Sequence, residues 1–176
     1  FPTFCFRVIA VYIVAYFIAG ITAQTYYTYF DLWEHDTFAA IMRPLDSPLI
    51  ALAPALQAVN AFFTATLLYP LRSLILDRKK GWRTLFLLIA GFSIFVPQAP
   101  APGSFEGLIY TKTTLFETLI GLPETFIFSF LFSFGLCEWY KKTSKRWNVV
   151  FAILVALIVL MNILGYLAAV GIIQVP

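Results

Sequence analysis

The 25 residues from Val149 to Ile173 are apolar but for Asn162, Gly165, Tyr166 and Gly171. A helix of about 20 apolar residues crosses the ~30 Å hydrocarbon core of a bilayer. Similar runs recur along the chain, and a soluble fold of 176 residues has no interior able to hide them. The sequence therefore predicts an all-α integral membrane protein. Composition agrees, with 61% hydrophobic and 12% charged residues, against roughly 45–50% and about 25% in an ordinary soluble domain. That balance excludes a soluble enzyme, a disordered tail and a disulfide scaffold.

Five spans are expected, at about 7–30, 48–76, 82–97, 115–137 and 149–173, within one membrane domain covering residues 1–176. Phe rather than Met stands first, so a preceding segment is expected. On the first span Ala15, Ala19 and Ala23 form a small-residue ladder suited to close helix packing in lipid. The second contains Pro54 and Pro70, which membrane helices tolerate where neighbours satisfy the freed carbonyls. The third is short, since Thr84 to Val96 gives about 13 residues and ~20 Å of helix. After it, Pro97, Pro100, Pro102, Gly103 and Gly107 forbid a regular helix through the first half of the stretch before Thr114. The alternative architecture is thus four helices plus a re-entrant segment.

Alternating spans sort the charges by side. Ten of the twelve basic residues fall together: Arg7, then Arg72, Arg78, Lys79, Lys80 and Arg83, then Lys141, Lys142, Lys145 and Arg146. Arg43 and Lys112 fall opposite, with Asp31, Glu34, Asp36, Asp46 and Glu106. The positive-inside rule then predicts a plasma (inner) membrane protein with a cytoplasmic N-terminus and an external C-terminus. Tyr26, Tyr27, Tyr29 and Trp33 are expected in the outer aromatic belt. The net charge of +3, scattered among apolar runs, gives no argument for nucleic acid. The basic runs suit a topogenic role, with binding of anionic lipid secondary. Cys5 and Cys137 have neither metal spacing nor a CxxC pattern, and are expected as reduced, unpaired thiols.

Ionisable groups in hydrocarbon cost about 2.5–3.5 kcal/mol at a helix centre, so Glu117 and Glu124 are the informative residues. Glu117 lies near the start of its span and is expected to reach the outer headgroups, whereas Glu124 is ~13 Å deep by helical rise. Seven residues apart, they share a face with Gly121 between them. On the second span Ala53, Gln57, Asn60 and Thr64 share a stripe, with Gln57 at a depth matching Glu124. Gln24 and Thr22 on the first span and Asn162 on the fifth lie at similar levels. Four helices are therefore expected to bring amides and carboxylates into one network around Glu124. Pro123 frees a carbonyl near Leu119 at the same level. If the 97–114 segment dips inward, Glu106 and Tyr110 approach the network from above.

The expected function is binding or translocation of a small polar, cationic or amphipathic species at this site. The alternative is a non-catalytic subunit of a larger membrane complex, its Phe- and Ala-rich faces covered by other subunits or by a second copy. Interhelical amides are common packing contacts in membranes, so Gln57, Asn60 and Asn162 alone fit that reading. A membrane-embedded enzyme acting on a lipid is a further alternative without a signature: no Ser sits beside a His, and there is no HExxH or phosphate loop. Glu34, His35 and Asp36 are adjacent on a loop, where neighbouring side chains rarely converge on one metal ion.

Overall fold

A computed structural model describes residues 1–29, 40, 42–96, 103–142 and 144–173. Trp33, the Glu34–His35–Asp36 run, Pro97, Pro100 and Pro102, on which several expectations rest, lie outside the described residues. The described residues form seven helices and no strand: α1 Pro2–Tyr29, α2 Pro48–Ala51, α3 Ala53–Ile75, α4 Gly81–Phe95, α5 Phe105–Tyr110, α6 Leu115–Lys141 and α7 Lys145–Ala169. Four of them, α1, α3, α6 and α7, are long and apolar enough to cross a membrane. The architecture is an all-α membrane bundle. Helix α4 has 15 residues, about 22 Å of rise, short of the hydrocarbon thickness as its sequence implied.

Helix α1 is the central element, with half of its most apolar stretch buried, against about a fifth or less in the other three long helices. Its sequence explains this: Ala10, Ala15, Ala19 and Ala23 are all buried, and their small side chains let neighbouring backbones approach. Helices α3, α6 and α7 pack around α1, while α4 lies against α6 and the short α2 against α7.

Three boundaries differ from the sequence reading. Helix α1 begins at Pro2 rather than near Arg7, and Arg7 is 7% exposed with its guanidinium over the Trp139 ring. A cation–π contact and an apolar stem let Arg7 lie within the helix packing instead of marking its edge. The second span is broken at Leu52 into α2 and α3. Pro54 has no N–H for the Ile50 carbonyl, and its ring crowds that carbonyl. Pro70, by contrast, sits inside α3. Helix α7 starts at Lys145, its N-terminus capped by the Ser144 hydroxyl, which accepts from the Arg146 N–H.

Core packing is uneven along the bundle. At the end carrying the basic loops, Phe4, Val8 and Val11 of α1 interlock with Ala65 of α3, Leu85 of α4 and Phe132 and Leu136 of α6. Lys141 donates to the Lys79 carbonyl at 3.3 Å, so two of the basic runs meet there. At the opposite end the helices diverge around a cavity.

Candidate functional site

The cavity has a volume of about 540 Å³, within the ~300–1,000 Å³ usual for small-molecule sites. Its wall on α1 runs from Tyr16 to Tyr27, about 16 Å of helix. Ile50, Ala51, Ala53 and Pro54, around the α2–α3 break, form a second wall. Glu117, Gly121, Glu124 and Thr125 of α6 form a third, and Asn162 of α7, Gly103, Met42 and Leu45 also line the space. The break at Pro54 thus shapes the site by opening space beside α1. Immediately below Tyr16 the interface closes, where the Tyr12 ring meets Phe128 at 4.9 Å and Phe132 at 5.5 Å, both edge-on.

Four of the sequence-derived candidates line this space: Gln24, Glu117, Glu124 and Asn162. Each carries a different load. Glu124 accepts a hydrogen bond from the Tyr27 hydroxyl at 3.1 Å. Tyr27, expected in the aromatic belt, turns inward because a carboxylate buried in apolar surroundings draws the nearest hydroxyl donor. Glu117 is 2% exposed and does not extend to headgroups. It forms a capping box, accepting from the Thr114 N–H at 2.6 Å and the Thr114 hydroxyl at 2.8 Å, while its own N–H donates to Thr114 Oγ1. A carboxylate at the third helical position satisfies otherwise orphaned donors, and that is why it is buried there. The Asn162 Oδ1 accepts the Ala55 N–H at 2.9 Å, so α7 caps the start of α3 from across the cavity. Gln24 is classed as exposed, yet belongs to the cavity wall.

The other four lie elsewhere. Gln57 is half-buried on α3 and does not line the cavity. Asn60 is exposed on α3 and donates to Gln57 Oε1 at 2.7 Å. The stripe shared by Gln57, Asn60 and Thr64 lies on the shoulder of α3, because Ala61 and Ala65 take the face buried against the bundle. Glu106 and Tyr110 are on α5, which packs against α4, and neither lines the cavity; Tyr110 is 73% exposed. Among the described residues of that segment only Gly103 lines the site, its φ of +83° being one that glycine adopts without strain.

Sequence reasoning missed Tyr16, Phe17 and Gly20 as cavity residues. A signal was present, because Gly20, Gln24 and Tyr27 follow i, i+4, i+7 spacing on α1.

The chain matches no family model, no curated protein and no solved structure. Chemistry at the site therefore carries the functional reading. The described lining contains two carboxylates and no Lys or Arg. Tyr16, Phe17 and Tyr27 add aromatic surface. No group of three or more metal-ligating side chains occurs among the described residues.

Proposed function

We propose that the protein binds a small amphipathic organic cation, its ammonium group beside Glu124 and its apolar part along the cavity wall. The observation that carries this reading is a carboxylate and tyrosine pair, Tyr27–Glu124, in a mostly apolar cavity whose described lining has no basic residue to neutralise it. An isolated carboxylate is expensive in a low-dielectric site, and an incoming ammonium relieves that cost while gaining a charge-assisted hydrogen bond. Tyrosine and phenylalanine faces favour the same ligand class through cation–π attraction. Glu117 is engaged with Thr114, and Glu124 is the contacting group. The aromatic packing of Tyr12 against Phe128 and Phe132 beneath Tyr16 favours binding over translocation.

The test is equilibrium binding to the protein in lipid nanodiscs, with hexylammonium as probe and hexanol and hexanoate as controls. Hexylammonium should bind most tightly. Glu124→Gln should weaken it by roughly tenfold to a hundredfold, the range of a charge-assisted hydrogen bond, and remove its preference over hexanol. Gly20→Leu supplies a variant that leaves the fold intact, since a Cβ there meets nothing within 4 Å and the side chain extends into the cavity. It should block all probes. Equal binding of hexylammonium and hexanol to the unaltered protein would refute the proposal. A stoichiometric partner protein copurifying in mild detergent, with no probe bound, would put the subunit reading in its place.

A further inference from the structure

Helix α3 turns a regular face away from the bundle. Leu56, Asn60, Phe63, Leu67, Pro70 and Leu74 recur at alternating intervals of four and three residues, and every one is exposed. The four large ones among them, Leu56, Phe63, Leu67 and Leu74, are 51%, 61%, 72% and 59% exposed. Ala61 and Ala65, completely buried, mark the opposite face. Alternation of four and three is the heptad spacing of a two-helix seam, and here one position of the seam is Asn. Lipid suits the leucines and the phenylalanine as well as protein would. It does not suit Asn60. Among the described residues the Asn60 side chain makes one hydrogen bond, its donation to Gln57, and the amide retains an acceptor oxygen and a second N–H on the outer face.

We propose that this face is the seam of a homodimer in which α3 of two copies packs in parallel, with the two Asn60 amides paired across a two-fold axis normal to the membrane. The occupant is specified by chemistry and symmetry together. A carboxamide is both donor and acceptor, so it complements itself. Two copies inserted in the same orientation can be related by a two-fold axis only along the membrane normal, and such an axis places each seam residue opposite its own equivalent. In parallel two-stranded seams a lone Asn at one core position sets register and oligomeric state, at a cost in stability. Apolar surface alone specifies nothing in lipid, where interhelical hydrogen bonds and close packing are what hold helices together. Gln57 orients the amide by accepting one of its protons.

The experiment uses the full chain reconstituted alone into bilayers at low density, so that no other protein is present. Subunit number is read by single-molecule photobleaching, and contact by oxidative crosslinking of introduced cysteines. Cys5 and Cys137 are buried and supply a low background. Leu67→Cys, at the most exposed seam position, should crosslink to a dimer, whereas Leu157→Cys on α7, 51% exposed, should not. Asn60→Leu should weaken dimerisation by roughly tenfold and Asn60→Gln should largely restore it, as expected for one interhelical amide pair. Both variants should bind hexylammonium as the parent does, or, if the parent binds none, should elute as a single symmetric peak free of aggregate, which separates lost association from lost folding. A monomeric parent, equal crosslinking at positions 67 and 157, or dimerisation indifferent to Asn60→Leu would each overturn the proposal.

Discussion

Two glutamates seven residues apart on α6 do different work, and hydrogen-bond geometry decides which is which. Glu117 stitches the first turn of its helix to Thr114, whereas Glu124 meets only a phenol among the partners described for it and faces open volume. Thr114→Ala removes the hydroxyl at both ends of the capping box and should cost about 0.5–2 kcal/mol, read from thermal unfolding in detergent. No change in the midpoint would mean the cap contributes nothing. Asn162 is structural by the same logic, because its Oδ1 satisfies the Ala55 N–H that begins α3. Asn162→Leu should destabilise by about 1–3 kcal/mol, the cost of leaving a donor unmade, and Asn162→Asp, which keeps an acceptor, by less. Depth along a span put Gln24, Gln57, Glu124 and Asn162 at similar levels in the sequence, and three of them, Gln24, Glu124 and Asn162, line the cavity. Direction around the helix was not legible. Polar residues on an otherwise apolar helix lack the contrast of an amphipathic pattern, so nothing in the sequence said that Asn60 points away from Glu124 or that Tyr27 points toward it.

Prolines illustrate how far a sequence pattern determines an element. Pro54 and Pro70 are eleven and twenty-seven residues downstream of Arg43 in the same apolar run, yet only the first coincides with a break in the helix. Next to Pro54, Asn162 takes the Ala55 N–H, so the new helix start is capped from outside its own chain segment. That partner is 107 positions away in sequence, which is why the break was illegible there. The turn from α3 into α4 is more local. A Cβ at Gly81 would collide with the Ile75 carbonyl oxygen, a backbone atom that cannot swing aside. Gly81→Ala should therefore destabilise by about 1–3 kcal/mol, as overpacked sites do, measured by unfolding in detergent. Gly91→Ala, whose Cβ meets nothing within 4 Å, is the control and should be neutral or slightly stabilising.

Across the whole molecule, packing and charge are both polarised, and along the same axis. The basic loops gather at the end where α1, α4 and α6 interlock, and the cavity opens at the other. Hydropathy led to five expected spans where four helices are long and apolar enough to cross, α4 being the short one; the cavity was not legible, because it lies beside a helix break whose cap comes from a distant part of the chain. The positive-inside rule predicts that the packed end faces the cytoplasm and the cavity faces out, in which case the proposed ligand would enter from the external side. Single cysteines test both halves of that statement in intact cells, over the low background of buried Cys5 and Cys137. Gly20→Cys, with open space around its Cβ, should react with a membrane-impermeant maleimide added outside, and hexylammonium should slow that reaction. Lys79→Cys should react only after permeabilisation. Labelling of position 79 from outside would invert the orientation and place the cavity on the cytoplasmic side, where the ligand would have to come from within the cell.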